Sequence, residues 1–159
     1  MSGDSGTVRA AYASAQLNNT LAVVWTGDPS VAEVERLFHQ LQALWAKHEA
    51  GACLLNVITA QTGMPSAPAR EALRHYFEQA RGKLRACAIV LEKSDIEGAL
   101  SRTILTTLVT LARRPFVTKI FADRPSAALW LIAQGADYPA RGLAETLQRL
   151  DAQLSRASS

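Results

Sequence analysis

The sequence predicts one α/β domain built on a mixed, mostly parallel sheet. Apolar segments of strand length alternate with segments of helical spacing along the 159 residues. The first two strand segments are separated by a short turn that contains Asn18 and Asn19, whereas helices separate the later ones. Since short turns join antiparallel strands and helical crossovers join parallel ones, we expect an antiparallel N-terminal hairpin on an otherwise parallel sheet, covered by helices.

Five segments have the composition of strands. The first alternates weakly, and the second places Leu21, Val23 and Trp25 on one face. The third is almost wholly apolar, as is typical of a strand that is covered on both faces. The predicted strands are residues 9–17, 21–26, 52–58, 86–91 and 116–121.

Five further segments have helical spacing, and several carry recognisable ends. Ser30 and Glu33 form a predicted capping box, and Ser66 is the predicted cap of the second helix. Pro115 stops the third helix, because proline cannot continue one. The predicted helices are residues 31–48, 67–81, 95–113, 126–133 and an amphipathic C-terminal helix at 140–154.

Composition indicates a globular protein and limits its partners. The apolar fraction is 48%, the charged fraction 19% and the formal net charge +3, without a basic run that would indicate nucleic acid. No apolar run is long enough for a membrane span, so we expect a cytoplasmic protein in which Cys53 and Cys87 are reduced core thiols. We expect a disordered N-terminus at residues 1–7, an α/β domain at 8–134 and a helical extension with a frayed end at 135–159.

The sequence contains no motif for nucleophilic catalysis, phosphate binding or dinucleotide binding, so no catalytic residue, metal or cofactor is predicted. In open α/β sheets, ligands bind beyond the carboxyl ends of the strands. The possible ligand rim there comprises Asp28, Thr59, Thr62, Glu92, Ser94, Asp95 and Asp123. Several of these residues are equally well explained as helix caps, and that alternative stays open.

Two stretches resemble the STAS domain, the fold of the anti-sigma-factor antagonists. Residues 119–132 give a strand and a capped helix with an Ala-x-x-Trp-Leu ending, and residues 25–30 fit the opening β-turn-α unit. The resemblance covers residues 8–134 and implies a STAS-like, non-enzymatic protein–protein interaction module in bacterial signalling or scaffolding. Members of that family carry a phosphorylated serine after an aspartate. Here Ser66 stands at the matching place without the aspartate, and it is the regulatory phosphorylation candidate.

Two alternatives to the interaction module remain. Lipid-carrying relatives in the same superfamily imply a small-molecule or lipid-binding domain, which needs an apolar cavity. An enzyme that uses the carboxylates after the fourth strand is the other alternative.

Two apolar surfaces are candidate interfaces with a protein partner or with a second copy of the chain. Leu105 and Val109 lie outside the core stripe of the third predicted helix, so a twofold homodimer is expected there. The last helix carries a narrow seam at Leu143, Leu147, Leu150 and Leu154. That seam either pairs with another chain or folds back onto its own domain, where it would also cover the Leu105 ridge.

Overall fold

A computed structural model describes residues 12–63, 65–92 and 117–157 of the chain. Within these ranges the chain forms five strands and four helices, in an α/β order. The strands are β1 (Tyr12–Leu17), β2 (Thr20–Trp25), β3 (Ala52–Ile58), β4 (Leu84–Leu91) and β5 (Val117–Phe121). The helices are α1 (Val31–Lys47), α2 (Ala67–Gln79), α3 (Arg124–Ala133) and α4 (Ala140–Ala157).

The five strands form one mixed sheet in the order β1-β2-β3-β4-β5. β1 and β2 are antiparallel and every other neighbouring pair is parallel, which confirms the predicted hairpin and the parallel pairing of the later strands. Asn18 supplies the left-handed turn conformation that joins β1 to β2, with a φ of 51°. β4 begins at Leu84, two residues before the predicted start, because Leu84 pairs with Ala52. The predicted helix at 95–113 lies outside the described residues.

Helices α1 and α2 cover one face of the sheet. α1 buries Leu37, Phe38 and Leu41 against β2 and β3, and α2 adds Phe77 to the same apolar cluster. The predicted capping box is present at the start of α1. The backbone nitrogen of Glu33 donates to Ser30 Oγ, and the Ser30 nitrogen donates to the Glu33 carboxylate.

Helices α3 and α4 cover the opposite face. The four seam leucines of α4 are at most 5% exposed and pack in the second apolar cluster, against β1 to β4 and α3 of the same chain. The intramolecular alternative therefore describes the seam, and assigning Leu143, Leu147, Leu150 and Leu154 to an interface with another chain needs correction. The boundary placed between residues 134 and 135 likewise separates no packing units, since α4 closes the core of the α/β domain.

Hydrogen bonds connect the N-terminal hairpin to the segment that leads into α4. Asn18 Nδ2 donates to the Asp137 carbonyl at 2.6 Å, and Asn19 Nδ2 donates to the Gly135 carbonyl at 3.0 Å. The Asp137 backbone nitrogen donates back to Asn19 Oδ1 at 2.8 Å. Because asparagine side chains can replace backbone partners in this way, the same two residues make the turn and fix the start of α4.

The two cysteines lie on opposite faces of the sheet. Cys53 belongs to the cluster under α3 and α4, and Cys87 belongs to the cluster under α1 and α2. Both are fully buried free thiols. Burial raises the pKa of Cys53 to about 11 and that of Cys87 to about 12. The strands thus direct the side chains away from each other, and both thiols pack as small apolar groups.

Among the helices that the structure describes, none combines the length and the apolar character that a membrane span requires.

Candidate functional site

The carboxyl ends of β2, β3 and β4 meet at one edge of the sheet, where the sequence placed the possible ligand rim. The structure brings Asp28, Thr59 and Thr62 together there. Gly63, in the loop after β3, lies against Asp28, in the turn after β2. Glu92 follows β4 at the same edge but pairs with Arg124. Ser94 and Asp95 lie outside the described residues, as do Leu105 and Val109.

Thr59 and Thr62 fasten the loop after β3 to the end of β2. Their hydroxyls both donate to the Trp25 carbonyl oxygen, at 2.6 Å and 2.7 Å. The Thr59 nitrogen also points to this oxygen at 3.3 Å, and the Thr62 nitrogen donates to the Thr59 carbonyl at 3.1 Å. Both side chains are buried, and their hydroxyl hydrogens are used in bonds to Trp25, so they are not available to a bound molecule.

Asp28 lies against the same loop. Its carboxylate is so close to the Gly63 Cα that a β-carbon at position 63 would overlap it. Glycine is therefore required here for close approach and not for an unusual backbone angle. The turn after β2 and the loop after β3 form one compact unit.

Ser66 begins α2 as its N-cap, as predicted. Its Oγ accepts from the Ala69 nitrogen at 3.2 Å, while the residue itself is exposed. Arg70, one turn into the helix, donates from Nη1 to the Pro65 carbonyl at 2.8 Å. The loop that begins at Thr59 is thus held at both ends before the exposed serine.

Arg124, at the start of α3, joins three elements on the other side of the edge. Its Nε donates to Glu92 at 2.9 Å and its Nη1 donates to Asp151 of α4 at 2.7 Å. Burial lowers the Arg124 pKa, but the hydrogen bonds and charges of Asp151 and Glu92 outweigh that effect and raise it. Sequence reasoning treated Glu92 as a rim residue, whereas its carboxylate contacts Arg124 in an ion pair.

Asp123 also serves the start of α3. Its Oδ1 accepts from the Ser126 nitrogen at 2.8 Å, which makes it the helix N-cap. This hydrogen bond to the carboxylate lowers the Asp123 pKa below its usual value. The helix-cap alternative therefore accounts for this carboxylate.

An apolar cavity lies beneath the edge, between the sheet and helices α1 and α2. Its volume is about 60 Å³, and its walls come from β2, β3, β4, both helices and the loop residues Thr62, Gly63 and Pro65. An apolar cavity of roughly 150 Å³ accommodates a benzene molecule. This cavity therefore has room for a smaller group and none for a lipid chain.

Asn56 is the polar wall of the cavity, and sequence reasoning missed it. It sits in the middle of β3 and is only 9% exposed. Its Oδ1 accepts from the Trp25 indole nitrogen at 2.6 Å. Its Nδ2 donates to no protein atom of the described chain. The signal in the sequence was one amide within an otherwise apolar strand.

On the opposite side of the edge, beside α3 and α4, lies an open groove of about 720 Å³. Thr26, Gln61, Glu92, Arg124 and Asp151 are among its lining residues. The arginine charge in this groove is already balanced by two carboxylates. Within the ranges that the structure describes, no three histidine, cysteine or acidic side chains gather as a metal site.

Comparison of the chain with known proteins finds no match to a family model, to a curated protein or to a solved structure. Any functional argument therefore depends on the geometry of this edge of the sheet.

Proposed function

We propose that the chain is a non-enzymatic, STAS-like interaction module that docks a protein partner through residues 59–69. We call these residues the edge segment. They comprise the loop after β3 and the first turn of α2. One observation supports the proposal: the segment contains no charged residue, and its described part combines exposed side chains with buried, hydrogen-bonded Thr59 and Thr62.

The lack of charge distinguishes the edge segment from the helices around it. Eleven consecutive residues carry no ionisable side chain in a chain that is 19% charged. The exposed members are Ala60, Gln61, Ser66, Ala67 and Pro68. The centres of protein interfaces are depleted in charged residues relative to the remaining surface, because burying a charge requires its desolvation.

The anchoring of the edge segment also favours binding. Thr59 and Thr62 hold its first half on the Trp25 carbonyl, and Arg70 holds the Pro65 carbonyl. A segment held in this way loses less conformational entropy when a partner binds it than a free loop would. The exposed Ser66 at the helix start supports the further proposal that phosphorylation regulates this contact, since a helix N-terminus favours negative charge.

The proposal can be tested with matched charge variants. Ala67→Glu places a carboxylate in the first turn of α2, where it favours the helix, so a loss of binding would not reflect unfolding. Gln148→Glu, on the exposed side of α4, is the control. We expect affinity enrichment from the cells that make the protein to recover one partner with the wild type and with Gln148→Glu. Recovery with Ala67→Glu should fall at least about tenfold.

Equal recovery with both variants would contradict the proposed surface. A second copy of the chain is a possible partner as well, and light scattering on the same three proteins identifies that case. The proposed homodimer ridge at Leu105 and Val109 stays a separate prediction, since those residues lie outside the described ranges.

A further inference from the structure

The apolar cavity under α1 and α2 carries an inference that does not depend on the partner surface. Its wall includes Leu37 and Phe38 of α1, Leu73 and Phe77 of α2, and Ile89 of β4. Asn56 interrupts this wall from the sheet side. A strand in this position would ordinarily present another aliphatic side chain, so a buried amide here is unexpected.

The orientation of the Asn56 amide is fixed by its neighbour. The indole nitrogen of Trp25 is a donor only, so the atom that faces it at 2.6 Å is Oδ1. The amide nitrogen Nδ2, which carries two hydrogens, is therefore the terminal atom that does not face Trp25. Nothing in the described part of the chain accepts from it, although the residue is nine-tenths buried. The cavity thus has an oriented donor without a protein acceptor.

The walls and the volume define the molecule that would fit. Among the described residues, no charged side chain lines the cavity, and burying an unpaired ion is strongly unfavourable, so the molecule is neutral. On the same scale, a volume of about 60 Å³ suits about two or three non-hydrogen atoms. The free donor requires an oxygen that accepts a hydrogen bond.

We propose that this cavity binds a small neutral carbonyl compound whose oxygen accepts a hydrogen bond from Asn56 Nδ2. The alkyl part of the compound lies between Leu73, Phe77 and Ile89. Pro29, Gly63 and Pro65 lie where the cavity approaches the carboxyl edge of the sheet, next to the edge segment.

The test uses two probes of the same shape. Acetaldehyde carries the carbonyl oxygen, and propene replaces it with a methylene group. Methyl NMR of the full chain should show saturable shifts at Leu73 and Ile89 with acetaldehyde, with a dissociation constant in the millimolar range. Leu131, on the other face of the sheet, should not shift. The absence of a saturable shift in the wild type, including a cavity filled by water alone, would overturn the proposal.

Variants then identify the donor. In Asn56→Val, the ratio of acetaldehyde affinity to propene affinity should fall at least about fivefold, as expected when one hydrogen bond is lost. An unchanged ratio would overturn the role of Asn56. Leu73→Phe fills the cavity while leaving the Asn56–Trp25 pair intact, and it should abolish binding of both probes. Ile132→Phe, on the opposite face, should leave binding unchanged. If Asn56→Val does not fold, this second pair decides the question, and binding that survives Leu73→Phe overturns the proposal.

Discussion

Ser66 shows how one side chain can have a structural role and a proposed regulatory one. Its hydroxyl caps α2, and removing a cap of this kind costs about 1 kcal/mol. We expect Ser66→Ala to lower the free energy of unfolding by about that amount in urea titrations. Ser66→Asn and Ser66→Asp should stay within about 0.5 kcal/mol of the wild type, because both residues are good caps.

The Asn and Asp variants of Ser66 also distinguish the effect of the helix cap from the effect of a negative charge. Partner recovery should be unchanged in Ser66→Asn and altered in Ser66→Asp, which adds the negative charge of a phosphate mimic. Equal recovery with both variants would remove Ser66 from the regulation of this surface. Destabilisation by Asn as large as that by Ala would show that the cap is not formed.

The buried thiols give a prediction for pH. We expect neither Cys53 nor Cys87 to react with a thiol reagent at pH 8 until the protein unfolds. The raised pKa of Cys53 means that folding favours its protonated form. Its contribution is therefore complete below pH 9.0, the unperturbed pKa, and is lost as pH rises towards about 11. Stability should decline between these values, and less steeply in Cys53→Ala. Rapid labelling of the native protein would contradict this account.

At the scale of elements, α4 is an integral part of the core. Leu143 is fully buried under the sheet, whereas Leu129 of α3 is 64% exposed. We expect Leu143→Ala to cost about 2–5 kcal/mol in the free energy of unfolding, because it leaves a cavity between α4 and the sheet. Leu129→Ala is the matched control and should cost less than about 0.5 kcal/mol. Similar effects of the two substitutions would contradict the packing of α4 on its own domain.

The ion pairs of Arg124 join β4, α3 and α4 at the carboxyl edge. The Arg124 side chain is 22% exposed, so removing its charge leaves two partly buried carboxylates without a partner. We expect Arg124→Gln to lower the free energy of unfolding by about 2 kcal/mol, less than for a fully buried pair because water screens it in part.

Arg141 provides the control for that measurement. It pairs with Glu145 at 3.5 Å, and its side chain is 92% exposed. Arg141→Gln should therefore change the free energy of unfolding by less than about 0.5 kcal/mol. An Arg124→Gln protein as stable as Arg141→Gln would show that the three elements hold together without the ion pairs.

At the scale of the whole molecule, the antiparallel hairpin, the parallel pairing of the later strands and most element bounds could be predicted from the sequence. Asn18 and Asn19 are too few residues for anything but a hairpin, and the spacing of apolar residues identified α1 and α4. The caps at Ser30, Ser66 and Asp123 depend on residues three positions away or fewer, so their sequence signals are local.

The remaining features depend on contacts that no local pattern contains. Hydrophobic spacing showed that the seam of α4 is buried but could not show which surface covers it. The hydroxyls of Thr59 and Thr62 bond to Trp25, more than thirty residues earlier, so both appeared as rim residues. The role of Asn56 depends on its hydrogen bond with the indole of Trp25 and on the helices that enclose the cavity beside it.

Site-specific photo-crosslinking tests the central claim, that the edge segment docks a protein partner, most directly. A benzophenone side chain at Gln61 reports on the exposed loop, and one at Gln148 of α4 reports on a distant exposed surface. The account predicts a single crosslinked species from position 61 in the cells that make the protein, lost when Ala67→Glu is added. It predicts no such species from position 148. A crosslink from position 148 with none from position 61 would contradict the claim.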